Sequence, residues 1–340
     1  MNYGVDLCHE KLLDGIKPIL SFDDGCNFDT WRCEVKKKLA ELLGSMPEKA
    51  DLNLKIEWEK EYDGFIERRM LFTAEKYVDV PCHLWIPKNA KKPCPVVICL
   101  QGHSTGMHIS MGRKIYDCDE ALISGGDRDF ANQIVKEGYA ALVLEQRAFG
   151  KRKSDVYMKV APMATTSCWH PAMVAILMGK TLIGERVWDV SRAIDVLETI
   201  EEIDADKIGI MGNSGGGTTA FYAACVDERI KIVMPSCSIC TYRDSIAAVK
   251  HCICNYIPNA ANYFDMSDLA CLIAPRPLVM VSGEKDTDFP IEGCIKAYEN
   301  IEKIYIKAGA KGNCRLVVGN EGHRFYADIS WPVFKELSNW

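Results

Sequence analysis

The sequence predicts an α/β fold, a mostly parallel central sheet with helices on both faces. Three observations predict it. After Pro95 the chain alternates short apolar strands with helix-period segments. The strands read as continuous apolar runs such as Pro95-Val96-Val97-Ile98-Cys99-Leu100, the pattern of strands buried on both faces. A glycine-rich turn, Gly212-Asn213-Ser214-Gly215-Gly216-Gly217, sits where one strand passes into a helix.

Taken in order, residues 31–43 carry a helical period that stops at Gly44. The pattern changes to strands over 54–87, expected as antiparallel edge strands. Strands follow at 96–100, 140–144, 207–211, 230–234, 277–281 and 315–318. Helices are expected at 129–138, 185–200, 214–225, 291–308 and 326–337. Residues 1–55 are thus read as an N-terminal helical extension and 56–340 as the catalytic domain. Two stretches, near 151–183 and 238–268, break the alternation and are read as long loops. Each would follow the C-terminal end of a strand, where open α/β sheets bind ligands, so both are expected to wall a pocket.

Composition narrows the function classes. The 340 residues are 48% apolar and 26% charged, enough for a large core, and the formal net charge is -6. A mildly acidic chain offers no electrostatic reason to bind nucleic acid or an anionic membrane. Residues 1–10 hold Asp6 and Glu10 and no apolar leader core, so a reduced, cytoplasmic setting is expected. The 16 cysteines are irregularly spaced, and Cys99, Cys225, Cys271 and Cys294 fall inside predicted strands or helices, where cysteine acts as a small buried hydrophobe. The pairs Cys237/Cys240 and Cys252/Cys254, the latter beside His251, could be imagined as one zinc set. They lack zinc-ribbon context, so neither metal nor disulfide is expected.

The chemistry concentrates at Ser214. The turn matches GxSxG, in which a strained strand-to-helix bend exposes a hydroxyl above the sheet and small residues let the backbone pass close. A serine hydroxyl needs a base, and the base an orienting acid, in the chain order Ser, acid, His. Asp286 lies just past the strand at 277–281, with Asp288 the rival acid and Glu284 a third choice. His323 follows the last strand as the base. Asp288 could alternatively cap the helix after Pro290. The backbone N–H groups of Gly215 and of His103, in Gln101-Gly102-His103-Ser104-Thr105-Gly106, are the expected oxyanion donors. Arg147, Trp188 and Asp189 read as structural; Trp169 and His170 could touch substrate.

On Leu100-Gln101-Gly102-His103, Gly184-Glu185-Arg186-Val187-Trp188-Asp189, Asp206-Lys207-Ile208-Gly209-Ile210-Met211-Gly212-Asn213-Ser214-Gly215-Gly216-Gly217, Ala274-Pro275-Arg276-Pro277-Leu278 and Gly322-His323-Arg324-Phe325, the chain resembles the α/β-hydrolases grouped with acetyl xylan esterases and the wider dienelactone-hydrolase-like set. The resemblance spans roughly residues 75–340. It implies an α/β-hydrolase fold, Ser214, Asp286 and His323 as a triad, and hydrolysis of a small carboxylic ester such as an acetylated carbohydrate, without metal or organic cofactor. Dienelactone hydrolases proper use a cysteine nucleophile, so their substrate does not carry over. A serine peptidase of the prolyl-oligopeptidase type and a non-catalytic hydrolase-like binding protein are the alternatives. About 90 residues before the core leave no room for the peptidase's propeller, and three intact triad positions argue against the binding protein.

Overall fold

The computed structural model describes residues 4–340. Two helices come first, α1 (Asp6–Asp14) and α2 (Phe28–Leu43). Asn27 starts α2 by accepting the Thr30 N–H at 3.1 Å. Every fourth residue, Trp31, Val35, Leu39 and Leu43, then buries itself in the main core, as i, i+4 spacing places one face. Gly44 ends the helix at φ 94°, a conformation glycine adopts without strain.

Three antiparallel strands follow, β1 (Lys55–Glu61), β2 (Phe65–Glu75) and β3 (Val78–Pro87). The remaining elements are β4 (Cys94–Leu100), α3 (Glu120–Ile123), α4 (Phe130–Lys136), β5 (Ala140–Leu144), α5 (Asp155–Val160), α6 (Trp169–Leu177), α7 (Leu182–Leu197), β6 (Ile203–Asn213), α8 (Gly215–Val226), β7 (Ile230–Ser236), β8 (Leu278–Gly283), α9 (Ile291–Lys307), β9 (Cys314–Gly319) and α10 (Ala327–Ser338), with short 3-10 turns between. One nine-stranded sheet results, in the order β1-β2-β3-β5-β4-β6-β7-β8-β9. From β5 to β9 every pairing is parallel, and β3 joins β5 antiparallel. Helices and buried side chains cover both faces, which is why β4 and β5 are apolar throughout.

Parallel pairing has one consequence for chemistry. The segments leaving β4, β5, β6, β7, β8 and β9 all emerge at the same edge of the sheet. That edge carries the 101–106 loop, both long insertions, Ser214, Asp286 and His323.

The structure corrects two sequence expectations here. Helix α7 starts a turn before Glu185, because the Thr181 hydroxyl accepts the Gly184 N–H at 3.0 Å and donates to the Leu43 carbonyl at 2.9 Å, joining α7 to the end of α2. The 151–183 stretch is not a plain loop. Ser154 caps α5, and α6 buries Ala172 and Ala175 while leaving Trp169 and Leu177 exposed, an apolar run without the alternation that would have marked a helix. The 238–268 stretch is irregular with 3-10 turns, as a loop reading would have it.

Candidate active site

Ser214 stands between β6 and α8 at φ 55°, ψ -127°, a strained backbone for a residue with a side chain. The strain is held in place by close packing. A Cβ on Gly216 would lie 2.1 Å from the Leu100 carbonyl oxygen, and one on Gly212 would lie 2.4 Å from the Gly216 carbonyl carbon. Only glycine fits at either position. The Ser214 N–H donates to the Ser236 carbonyl at 2.8 Å, tying the turn to the end of β7. At the start of α8 the N–H groups of the first turn have no intrahelical acceptor, so they are free to meet negative charge.

The loop after β4 lies directly against that helix start. A Cβ on Gly215 would come within 2.8 Å of His103 Cε1, so the two expected oxyanion donors belong to touching segments. Buried amides fix the loop. Gln146 donates to the Gln101 carbonyl at 2.6 Å and accepts from the Thr219 hydroxyl at 2.7 Å, and Gln101 donates to Glu145 at 2.8 Å. Glu145 also accepts the Met107 N–H at 3.1 Å. Burial raises its carboxyl to about 7, against the pull of the Lys151 and Met107 amides and the Arg152 charge. Farther along, Asp119 accepts from Thr105 at 2.5 Å and pairs with His108 at 3.0 Å.

Asp286 and His323 meet as expected. His323 Nδ1 lies 2.8 Å from Asp286 Oδ2. The other carboxylate oxygen accepts the N–H groups of Asp288 and Phe289 at 2.8 and 3.1 Å. Burial alone would raise the Asp286 pKa, but the His323 hydrogen bond and charge and the Phe289 amide hold it below the ordinary value. Asp288 approaches His323 only at 4.0 Å with a 52% exposed side chain, and Glu284 is exposed. Asp288 does not cap α9 either. That helix starts after Pro290 without a side-chain cap, and the Asp288 carbonyl instead accepts from Ser245 at 2.7 Å and lies 3.0 Å from His251 Nε2.

The loop that carries His323 is anchored on three sides. Arg324 pairs with Asp127 and Glu321, the Phe325 N–H donates to the Gly126 carbonyl, and His323 stacks on Phe289. Sequence reasoning missed Arg128. It is buried, donates to the His323 carbonyl at 3.2 Å, and its Nη1 would be 3.3 Å from a Cβ on Gly102, which itself would touch Ser214 Cβ. Burial lowers its pKa, with Cys237 and Asp286 acting in the opposite direction. The signal available was an arginine at the end of Gly125-Gly126-Asp127-Arg128, just before a helix.

The other residues singled out in the sequence lie as follows. Arg147 joins Asp189, Glu75 and Glu185, Asp189 also pairs with Arg152, and the Trp188 indole donates to the Ala74 carbonyl at 2.9 Å. Trp169 is exposed and His170 lies 3.3 Å from the Ser154 hydroxyl. A cavity of about 390 Å³ lies beside the 101–111 segment, lined among others by Trp58, His83, Thr105, His108, Arg113 and Glu145, and not by the Ser214, Asp286 or His323 side chains. The first insertion reaches it through Lys151 and Lys153.

The four cysteines imagined together do not meet. Cys237 donates to the Arg324 carbonyl at 3.1 Å beside Asp286, and Cys240 reaches toward the Pro290 carbonyl and Cys294. Cys252 and Cys254 turn the other way, toward Cys168 and His103. The His103 ring thus lies between Gly215 and the cysteines, with Nε2 3.3 Å from Cys254 Sγ.

A family model for the Abhydrolase family matches residues 2–305. This chain belongs to the Abhydrolase family. The family match stops before His323, whose place is given by β9 and its loop. The chain is 27% identical over 316 residues to YtaP of Bacillus subtilis (strain 168), named as a hydrolase, across 91% of this chain and 99% of that protein. Among solved structures, one described as an acetyl xylan esterase of Bacteroides fragilis NCTC 9343 superposes with a TM-score of 0.76 at 17% identity, covering 98% of this chain and 84% of the other. A glucuronoyl esterase from Solibacter usitatus superposes with a TM-score of 0.69 at 17% identity, covering 96% and 98%. Both likenesses establish the α/β-hydrolase fold of the family member described here. No helix among the described residues is long and apolar enough to cross a membrane.

Proposed function

We propose that this protein is a serine esterase acting on a small carboxylic ester carried by a carbohydrate. The observation that carries the reading is the strained Ser214 turn at the same sheet edge as a 2.8 Å His323–Asp286 pair. In this reading His323 takes the proton of Ser214 as the hydroxyl attacks the ester carbonyl. Asp286 holds the imidazole with Nδ1 protonated, leaving Nε2 as the base, and stabilises the imidazolium that forms. The N–H groups of Gly215 and His103 receive the oxyanion. His323 then protonates the leaving alcohol, and water releases the acid from the acyl-serine.

The names of the structural neighbours supply the substrate class: an acetyl ester of xylan in one, a glucuronoyl ester in the other. The acetyl ester is the preferred reading, on the sequence motifs set out above. The test is a panel of acetylated xylo-oligosaccharides, methyl glucuronate esters, longer-chain aryl esters and aminoacyl amides, each run with wild type and Ser214→Ala. Turnover of an acetyl ester that vanishes in the variant supports the reading. Selective turnover of methyl glucuronate keeps the mechanism and moves the substrate. Turnover confined to aminoacyl amides would make the protein a peptidase.

A further inference from the structure

We propose that His103, Cys168, Cys252 and Cys254 form a structural zinc site behind the oxyanion loop. Each residue offers one ligand atom, and the four atoms all lie within 4.8 Å of one another. A tetrahedral zinc has Zn–S distances of about 2.3 Å and Zn–N distances of about 2.0 Å, which places ligand atoms roughly 3.5–3.8 Å apart. The observed separations from His103 Nε2 are 3.3 Å to Cys254 Sγ and 3.8 Å to Cys168 Sγ. One ring nitrogen thus faces both sulfurs. Three thiolates and one imidazole make a closed set with no position left for substrate, as in structural zinc sites.

The second, independent observation is Arg186. Its side chain is among the largest fully buried ones, at 1% exposure. Its Nε and Nη2 donate to the Arg147 carbonyl at 3.1 and 2.8 Å, Nη2 also reaches Cys168 Sγ at 3.2 Å, and the guanidinium lies over the Phe149 ring. Its Nη1 has no partner, and none of the ion pairs among the described residues gives it a carboxylate. A buried cation without a counter-charge is expensive, so buried charges are paired or lie beside metal centres. Three neutral thiols would leave Arg186 uncompensated. Zinc with three thiolates and a neutral imidazole carries one net negative charge, which the single guanidinium balances.

The ligands come from three separate segments leaving β4, β5 and β7: the oxyanion loop, the first insertion and the second insertion. A metal joining them would fix two long insertions that no disulfide ties. It would also hold His103, whose backbone N–H is the proposed oxyanion donor; this last link rests on the esterase reading, whereas the metal site does not.

The test uses the full chain, purified without chelator and with any affinity tag removed. Elemental analysis should find about one zinc per chain in wild type and equally in Ser214→Ala, whatever either hydrolyses. Cys254→Ser and Cys168→Ser should each lose most of the zinc, while Cys240→Ser should keep it. Cobalt(II) substituted into wild type should give tetrahedral ligand-field bands and thiolate charge-transfer absorption. Should the variants fail to fold, alkylation of wild type before and after chelation decides the matter: Cys168, Cys252 and Cys254 should become reactive together only after metal removal. Absence of stoichiometric metal after growth and refolding with zinc, zinc unaffected by both ligand variants when they fold, or a disulfide among these cysteines in freshly isolated protein would overturn the proposal. An active esterase without zinc would refute the metal site and leave the esterase reading intact.

Discussion

Replacing Asp286 by Asn tests the division of labour at the base. In the wild type one carboxylate oxygen accepts from His323 at 2.8 Å and the other accepts two backbone N–H groups. An Asn at 286 can keep its carbonyl oxygen on the Asp288 and Phe289 amides, which leaves its NH₂ facing His323 Nδ1. That donor forces Nδ1 to accept, so the proton moves to Nε2 and the base can no longer take the serine proton. Neutralising the acid in other serine hydrolases lowers kcat about 10⁴-fold, or about 5.4 kcal/mol of barrier. Asp288→Asn removes a half-exposed carboxylate 4.0 Å from the ring, with its hydrogen-bonding carbonyl left in place. An exposed charge pair is worth about 0–1 kcal/mol, so kcat should stay within roughly fivefold of wild type. The assay is initial-rate hydrolysis of the best ester from the substrate panel at pH 8, with circular dichroism to confirm folding. A dispensable Asp286 with an essential Asp288 would refute the argument.

Three further perturbations follow from the same geometry. Gly216→Ala puts a methyl 2.1 Å from the Leu100 carbonyl and 2.6 Å from that of Gln101; overpacking of this kind costs about 1–3 kcal/mol, and a displacement near 1 Å at the oxyanion loop should lower kcat about 100-fold, read from Tm and kcat together. Glu145 has a folded-state pKa raised to about 7, so the stability it contributes is present below its unfolded value near 4.5 and is lost as pH rises through 7. Glu145→Gln should therefore be more stable than wild type at pH 8 by up to about 3 kcal/mol, with the advantage shrinking toward pH 5; urea titrations at both values check it, and a pH-independent difference would contradict it. Asp286 has the opposite sign: its depressed pKa gives stability present above the unfolded value near 3.8 and lost on acidification, so Asp286→Asn should flatten the acid limb of the same stability profile.

The parallel sheet was legible because its strands are written in a simple code. Runs such as Val96 to Leu100 are apolar throughout, and each sits on β4 or its neighbours with both faces covered. The Ser214 turn was legible for a similar reason, since only glycines can stand at 212 and 216 beside the Leu100 carbonyl. Position favoured Asp286 over Asp288 only as the carboxylate nearer the strand end. Which carboxylate meets His323 depends on how the β8 and β9 loops pack, and there the Gly319 and Glu321 carbonyls accept the Glu284 and Lys285 amides. Helices α5 and α6 were missed because their apolar residues face outward as well as inward. Arg128 was missed because its partners, Gly102 and the His323 carbonyl, are distant in sequence. The grouping of His103 with Cys168, Cys252 and Cys254 was hidden for the same reason: the Cys252-Ile253-Cys254 spacing is local, but the other two ligands come from segments more than 80 residues upstream.

The central claim is that Ser214 is the nucleophile. The direct measurement is reaction of the folded protein with a serine-directed fluorophosphonate, followed by peptide mass spectrometry. One adduct per chain is expected, on the peptide holding Gly212-Asn213-Ser214-Gly215-Gly216-Gly217, and it should be absent from Ser214→Ala and greatly slowed in His323→Ala. An adduct on another serine, or labelling that persists in Ser214→Ala, would contradict the account.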